Sequence, residues 1–271
     1  MQLIFDYQKA INNIRKSLEE YIITNKLQSL VIGLSGGIDS ALVAALSYKV
    51  CLKLNIPFLG RSITIETNKP DEIQRAKEIG HSYTTDFQEI DLTNAYLNFR
   101  NSIVEDFDTL DLNDFNTKVR LGNVKARVRM IYLYELASRN KGLVMSTDNL
   151  TELLLGFWTL HGDVGDLGII QQLWKTEVYE MSKYIAENQA NESQKNALMA
   201  CLKAVPTDGL GITNSDLDQL KASSYSEVDK ILMEYLENKN PILEQHPVIQ
   251  RYFRSQFKRN NPFNFKREIY F

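Results

Sequence analysis

The sequence has few of the residues that build metal clusters or disulfide frameworks. Its 271 residues include two cysteines, Cys51 and Cys201, and three histidines, His81, His161 and His246. The cysteines are far apart and form no CxxC pair, and the scattered histidines do not resemble the clustered ligands of a zinc site. We therefore expect no disulfide framework, no structural zinc site and no thiol redox chemistry.

Long apolar runs and an excess of one charge are missing too. No apolar run reaches the roughly 18 residues of a membrane span, and the amphipathic N-terminus lacks the apolar core of a signal peptide. The 31 basic and 34 acidic residues give a net charge of −3, which gives no overall case for nucleic-acid binding. We expect a cytoplasmic protein with no membrane partner and no nucleic-acid partner.

The composition that is present is that of an ordinary globular protein, with 44% hydrophobic and 24% charged residues. A chain of this length can bury a full core as one domain, with little room for a second catalytic one. We therefore expect residues 1–271 to form a single domain, which ends in a basic, aromatic-containing tail at about 251–271.

The sequence SGGIDS, at residues 35–40, is the most informative motif. It lies between an apolar run at 30–34, typical of a buried parallel strand, and an apolar helix that starts at about Ala41. Adjacent glycines let the backbone approach a ligand closely, and the amides that open a helix bind anions. Asp39 adds a carboxylate that suits Mg²⁺. The motif therefore predicts a phosphate site with its own metal ligand.

This phosphate site differs from a Walker loop, which needs a lysine, because no lysine occurs between Lys26 and Lys49. It resembles the PP-loop of the ATP pyrophosphatases, which cleave ATP between the α- and β-phosphates and leave an adenylated substrate. The structural alternative is a glycine-rich turn with an Asp cap. Six consecutive residues and both flanking elements favour the phosphate site.

Predicted strands and helices alternate along the first half of the chain. Strands are expected near 30–34, 58–65, 83–90 and 143–145, and the helix between the second and third is expected to end at Gly80. This alternation indicates an α/β fold, Rossmann-like, with one parallel sheet and helices on both faces. Ligands bind at the carboxyl ends of the strands in such folds.

A second group of polar residues follows the fourth predicted strand. Thr147, Asp148 and Asn149 have the character of turn and cap residues, and Glu152 lies in the first turn of the next helix. At the end of a strand, Thr147 could contact ATP and Glu152 could join Asp39 on Mg²⁺. A capping network explains these residues equally well on local grounds.

Among the cations of the long helix predicted at 116–140, Lys125, Arg127 and Arg129 are the ones of interest. An arginine fork suits bidentate capture of a phosphate or a carboxylate. A solvated basic face is an equal alternative, because spacing alone does not separate the two.

Six segments occur in an order and spacing that resemble the ammonia-dependent NAD synthetases over nearly the whole chain. They are SGGIDS, GNVKARVRM, STDNLTE, HGDVGD, the helix start at Lys175 and PTDGLGITNSDLDQL. The resemblance implies the reaction ATP + nicotinate adenine dinucleotide + ammonia → AMP + pyrophosphate + NAD. It also implies an adenine nucleotide alpha hydrolase-like fold and a homodimer that binds the dinucleotide at its interface.

The same resemblance implies roles for individual residues. Asp39 and Glu152 would hold Mg²⁺, and Lys175 would stabilise the transferred phosphate. Asp163 and Asp166 are both candidates to hold ammonium and take its proton. The ATP site would consist of Gly33, Leu34, Ser35, Gly36, Gly37, Ile38, Asp39, Ser40, Thr147, Lys175 and Thr207. The acceptor site would include Arg127, Asp166, Phe257 and Lys258.

Three positions depart from the family pattern. Leu160 stands where many members carry a lysine, Phe257-Lys258 stands in place of a His-Lys pair, and Val164 replaces a usual glycine. These positions meet the acceptor rather than ATP, so the loss of a cation and a histidine should weaken the grip on phosphates or change the acceptor. Some members amidate nicotinate mononucleotide to nicotinamide mononucleotide, and that acceptor stays an alternative.

Other functions fit the residues less well. Another PP-loop activity, such as tRNA thiolation, conflicts with the acidic pI of about 5.8 and the missing thiol chemistry. A nucleotide-binding homologue without turnover would not need SGGIDS, Glu152 and Lys175 intact. Direct use of glutamine is not expected, because 271 residues leave no room for an amidohydrolase domain. A separate glutaminase partner stays open.

Overall fold

A computed structural model describes residues 3–4, 6–66, 68–205, 217 and 220–270. Within them, four parallel strands form one sheet in the order β3-β2-β1-β4. The strands are β1 (Ser29–Gly33), β2 (Phe58–Thr64), β3 (Asp86–Asp91) and β4 (Gly142–Val144). The predicted α/β fold with a parallel sheet is confirmed.

Helices cover both faces of this sheet. They are α1 (Tyr7–Thr24), α2 (Ile38–Leu54), α3 (Pro70–Tyr83), α4 (Thr93–Ile103), α5 (Phe115–Arg139), α6 (Leu150–Leu155), α7 (Lys175–Asn188), α8 (Glu192–Lys203), α9 (Tyr225–Asn238), α10 (Pro247–Arg254) and α11 (Gln256–Arg259). Short 3-10 turns occupy Phe107–Thr109, Pro241–Gln245 and Arg267–Tyr270. None of the helices in the described ranges has the length and apolar character needed to cross a bilayer.

The alternation of side chains along β1 produces two cores. Leu30 and Ile32 pack on one face with apolar residues of α1, α2, α3, α7 and α8. Val31 points to the other face and packs with residues of α4 and α5, because successive strand side chains point to opposite sides. Both faces of the central strand are therefore buried, as its continuous apolar run predicts.

A third apolar cluster fixes the C-terminal helices beside the end of β4. It contains Leu155 of α6, Leu232 of α9 and Ile249 of α10, all fully buried. The segment from Arg251 onward, expected as a basic tail, begins inside α10 and continues through α11. These helices pack against α6, which carries Glu152.

Two helix boundaries differ from the sequence-based prediction. α2 begins at Ile38 rather than near Ala41, with Gly37 as its N-cap, so Asp39 lies in its first turn. α3 continues past Gly80 to Tyr83. A Cβ on Gly80 would lie 2.0 Å from the ring of Phe87. The glycine therefore permits close packing of helix on strand, and the prediction that it ends the helix is wrong.

Candidate active site

The loop after β1 holds its shape through hydrogen bonds between its own residues. The Ser35 hydroxyl accepts from the amide of Gly37 at 3.2 Å, and the Ser40 hydroxyl donates to the carbonyl of Gly37 at 3.2 Å. Gly36 has a φ of +79°, and a Cβ there would lie 2.2 Å from the carbonyl oxygen of Glu72. Only glycine fits this position, because the left-handed region and the close contact both exclude a side chain.

Two carboxylates and one ammonium meet beside this loop. The Lys175 Nζ lies 2.5 Å from Oδ2 of Asp39 and 2.8 Å from Oε1 of Glu152. Asp39 comes from the start of α2, Glu152 from the first turn of α6, and Lys175 is the first residue of α7. Three distant segments of the chain therefore build one charged centre at the carboxyl end of β1 and β4.

Asn149 connects the two carboxylates. Its side-chain oxygen accepts from the amide of Glu152 at 3.0 Å, and Oε2 of Glu152 accepts from the Asn149 amide at 3.3 Å. Its side-chain nitrogen donates to Oδ1 of Asp39 at 2.8 Å. The capping network and the convergence of carboxylates, which were alternatives in the sequence, therefore occur together.

The environment of Lys175 strongly favours its charged form. Burial alone lowers the pKa of its ammonium, but the charges of Asp39 and Glu152 outweigh burial and raise that pKa well above its ordinary value. Burial and the charge of Asp39 also raise the pKa of Glu152, and Lys175 acts against them. The side chain of Lys175 is 4% exposed, so loss of either carboxylate partner would leave a buried charge poorly compensated.

Asp229, on α9, fixes the N-terminus of the helix that carries Lys175. Its Oδ2 accepts from the amide and the hydroxyl of Thr176, at 2.9 and 2.8 Å, and its Oδ1 accepts from the hydroxyl of Thr151 at 2.6 Å. The same threonine hydroxyl accepts from the amide of Lys175 at 2.9 Å. The sequence analysis did not find Asp229, although an acid at a buried position of an amphipathic helix is a usable signal.

A cavity of about 480 Å³ runs from the SGGIDS loop past β4 to the C-terminal helices. The predicted site residues that line it are Gly33, Leu34, Ser35, Asp39, Ser40, Thr147, Glu152, Asp163 and Lys258. Thr207 lies outside the described residues. The cavity therefore brings part of the predicted ATP site and part of the predicted acceptor site to one place.

Two acids face this cavity, the buried Asp148 and the half-buried Asp163. Burial, with the charge of Asp163 added, raises the pKa of Asp148 to about 7, and a hydrogen bond from Ser146 at 2.8 Å opposes the rise. Burial also raises the pKa of Asp163 to about 6, against the bond that its Oδ1 accepts from the amide of Thr159 at 2.8 Å. Asp163 was predicted as a site residue, whereas Asp148 was interpreted as a turn and cap residue.

Asp166 and Arg127 are engaged at the edge of the site. Asp166 accepts from the Tyr134 hydroxyl at 2.8 Å and from the amide of Val144 at 3.2 Å. Burial and then Asp166 raise the pKa of Tyr134 to about 12. The exposed Arg127 donates to the carbonyl of Leu160 at 3.1 Å, which ties α5 to the loop that carries Asp163.

Lys125 and Arg129, the two cations of α5 on either side of Arg127, contact residues in and just after β2. Lys125 is buried and lies 3.0 Å from Oε2 of Glu66. Arg129 donates from Nε to the carbonyl of Ile63 at 3.2 Å and from Nη2 to the side chain of Asn68 at 3.1 Å. A solvated basic face is therefore wrong for these two residues.

Lys258 holds the chain segment that follows α6. Its ammonium donates to the carbonyl of Gly156 at 2.7 Å and to that of Trp158, and it lies 5.6 Å from the centre of the Trp158 ring. Phe257 is 63% exposed. Arg251 lines the same wall and stacks 3.8 Å from the centre of the Phe157 ring; sequence analysis placed Arg251 only within the basic tail.

Comparisons with known proteins match nearly the whole chain to NAD synthases and related synthetases. The family model described as NAD synthase matches residues 10–269. The NH(3)-dependent NAD(+) synthetase of Thermoplasma volcanium is 32% identical, over 96% of this chain and 98% of that protein. An NMN synthetase from Francisella tularensis superposes with a TM-score of 0.78 at 26% identity, over 97% and 100% of the two chains. An NH3-dependent NAD synthetase from Campylobacter jejuni, in complex with nitrate, gives 0.72 at 25% identity, over 97% and 100%.

Proposed function

The chain belongs to the NAD synthase family, and we propose that it is an ammonia-dependent NAD synthetase, which amidates nicotinate adenine dinucleotide to NAD. The carboxylate oxygen of the acceptor attacks the α-phosphorus of ATP, and pyrophosphate leaves. Ammonia then displaces AMP from the acyl adenylate and loses a proton. Positioning and charge stabilisation suffice for both steps, so the protein needs no covalent nucleophile.

The meeting of Asp39, Glu152 and Lys175 beside the SGGIDS loop is the observation that carries this proposal. The first amides of α2 offer donors to an anion, and the charged groups supply a cation and a place for a second one. ATP is proposed to lie along 33–40 with its α-phosphorus near Lys175, and with Thr147 and Thr207 completing its site.

Asp39 and Glu152 fit a magnesium ion. Each directs one carboxylate oxygen at the same ammonium, so both already converge on a positive charge. Mg²⁺ is usually held by one or two carboxylates together with substrate phosphates, which matches this pair. When bound, magnesium supplies positive charge to the phosphate oxygens. Lys175 donates to the transferred phosphate.

Asp163 is proposed to hold ammonium and to accept its proton. It is half-buried in the wall of the same cavity as Asp39 and Glu152, and a pKa of about 6 leaves it mostly ionised near neutral pH and still basic enough to take a proton. Asp148 faces the cavity beside it, and its ionised form adds negative charge that favours a cation there. Asp166 is the less suitable candidate because Tyr134 and a backbone amide already bind it.

The acceptor is proposed to bind between Arg127, Asp166 and the C-terminal pair Phe257 and Lys258. Nicotinate mononucleotide is the second candidate acceptor. Two observations favour it: Leu160 and Phe257 supply no charge to a second phosphate, and the NMN synthetase superposes well on this chain.

The proposal extends to a homodimer of single-domain chains in the cytoplasm. Large apolar side chains are exposed on α4 and α5, among them Phe99, Ile103, Phe115, Ile131 and Tyr134. Such a surface suits burial against a second copy. Cys51 and Cys201 are both unpaired and buried, which suits a reducing compartment.

Product analysis tests the proposed function. The protein is incubated with Mg-ATP and ammonium, and the dinucleotide and mononucleotide acids are offered separately. Release of AMP with NAD supports the NAD synthetase, and faster formation of nicotinamide mononucleotide supports the second acceptor. Release of AMP with neither product, or no release at all, contradicts the proposal.

A further inference from the structure

A second cavity, of about 90 Å³, lies against the SGGIDS loop. Its walls are the loop itself, Glu72 and Arg75 of α3, Lys175 and Tyr179 of α7, and the end of α8. A cavity must have a volume of at least about 10–15 Å³ to hold one water, so this cavity has room for a few waters or one compact inorganic anion. A nucleoside does not fit.

Arg75 brings a guanidinium to this cavity. Its Nε donates to the carbonyl of Gly36 at 2.9 Å, and its Nη1 donates to Oδ2 of Asp71 at 2.7 Å. The side chain is only 16% exposed, whereas that of Asp71 is 66% exposed. Asp71 is therefore well hydrated and neutralises the arginine only weakly. Arg75 keeps its charge directed at the loop that would hold the phosphates.

The charged residues that line the two cavities indicate which phosphates of ATP point toward each cavity. Asp39 and Glu152 line both cavities, whereas Asp163 lines only the larger one, and Lys175 and Arg75 line only the smaller one. Attack on the α-phosphorus needs the acceptor on the Asp163 side, so the β- and γ-phosphates point to the Arg75 side. The SGGIDS loop lacks the lysine that a Walker loop gives these phosphates, and Arg75 supplies a cation from α3 instead.

We propose that Arg75 binds the leaving pyrophosphate of ATP in the smaller cavity. The inference rests on the proposed function, because it takes pyrophosphate as the leaving group. As the acceptor oxygen bonds to the α-phosphorus, the bond from that phosphorus to the bridging oxygen breaks and its electron pair stays on pyrophosphate. The guanidinium donates to the oxygens that gain this charge, where a charge-assisted and bidentate contact is strongest.

Arg75 also supports the SGGIDS loop through its hydrogen bond to Gly36. The test must therefore separate the effect of its charge on pyrophosphate from the effect of this support. Arg75→Met removes both, and Arg75→Lys keeps the charge. Asp71→Asn keeps a hydrogen-bonding partner for the arginine but removes the opposing charge. Lys77→Met is the matched control, because Lys77 is a half-exposed cation of the same helix that pairs with Glu89 at 2.8 Å.

The readouts are product inhibition by inorganic pyrophosphate and by AMP, together with calorimetric titration of each protein with Mg-pyrophosphate. Arg75→Met is expected to weaken pyrophosphate binding at least tenfold, as the loss of one charge-assisted contact implies, and to change AMP inhibition less than about twofold. Arg75→Lys should weaken pyrophosphate binding less than Arg75→Met does. Asp71→Asn should bind pyrophosphate about two- to threefold more tightly, a gain that loss of a structural brace does not produce.

The inference is overturned if Arg75→Met weakens the binding of AMP and of pyrophosphate to the same extent, or if it leaves pyrophosphate binding unchanged. If Arg75→Met does not fold, Asp71→Asn decides, because weaker or unchanged pyrophosphate binding in that variant contradicts the role. The proposed function fails separately, through absence of AMP formation by the unaltered protein. In that case the titration with Mg-pyrophosphate still decides whether Arg75 binds the anion.

Discussion

The ammonium of Lys175 lies 2.5 Å from a carboxylate oxygen of Asp39, although 136 residues separate them in sequence. The same ammonium lies 2.8 Å from Glu152, so one cation is shared by two acids that follow two neighbouring strands. Because all three groups are largely buried, each depends on the others for its charge balance. The centre is therefore both a structural junction and the place where ATP chemistry is expected.

Lys175→Met is expected to abolish amidation and to destabilise the nucleotide-free protein by about 3–5 kcal/mol, because two buried carboxylates lose their cation. Added Mg²⁺ should restore part of that stability, since Asp39 and Glu152 can then share the metal ion. Thermal unfolding with and without MgCl₂, followed by an AMP-release assay, measures both effects.

Lys183→Met serves as the control for that substitution, because Lys183 is an exposed cation on the same helix α7. It should leave activity and the response to Mg²⁺ unchanged. A Lys175→Met protein that Mg²⁺ stabilises no more than the unaltered protein would contradict the shared-cation account.

Asp163→Asn separates ammonia capture from adenylation. We expect kcat for amide formation to fall about 10²–10⁴-fold, the range for loss of a general base, and the KM for ammonium to rise. Exchange of labelled pyrophosphate into ATP, which reports adenylation alone, should persist. Asp166→Asn should instead lower stability and weaken acceptor binding, because Asp166 binds Tyr134 and a backbone amide at the edge of the proposed acceptor site. The opposite assignment of effects to the two variants would show that Asp166 is the base.

Asp148→Asn is expected to stabilise the nucleotide-free protein at alkaline pH. The folded protein raises the pKa of Asp148 from 3.8 to about 7, so it binds this proton more tightly than the unfolded chain does, and stability falls as pH rises between these values. Asparagine removes that penalty, on the order of 4 kcal/mol at about pH 8 and near zero below about pH 3.

Urea unfolding at several pH values, with a chelator present, measures this difference. Asp108→Asn, at an exposed position, is the control and should show no gain. A gain for Asp148→Asn that is the same at acid and alkaline pH would mean that ionisation of Asp148 is not its cause.

The sequence pointed to residues with the expected chemistry and missed residues that position them. The composition of SGGIDS was enough to single out Asp39, whereas Lys175 was singled out only through the resemblance to the family. Asp229 and Arg75 lie on helices with no motif, and only the packing of α9 and α3 brings them to the site. Gly80 was assigned to a helix end because glycine often stops helices, but packing against Phe87 required it inside one.

The double variant Leu160→Lys/Phe257→His tests whether the departures from the family pattern at these two positions determine which acceptor is used. Restoring a cation and a histidine should raise the ratio of kcat/KM for the dinucleotide over the mononucleotide at least about tenfold, since each charge-assisted phosphate contact is strong. The KM for ATP should not change. Ile242→Lys, an exposed position outside the cavity, controls for the added charge. An unchanged ratio would show that other residues select the acceptor.

Transfer of oxygen from acceptor to AMP tests the central claim most directly. The acceptor is prepared with ¹⁸O in its nicotinate carboxylate, and the AMP formed with Mg-ATP and ammonium is examined by mass spectrometry. Attack by the carboxylate on the α-phosphorus predicts one ¹⁸O atom in each AMP and none in pyrophosphate. Amide formation with unlabelled AMP would contradict the acyl adenylate, and with it the proposed mechanism.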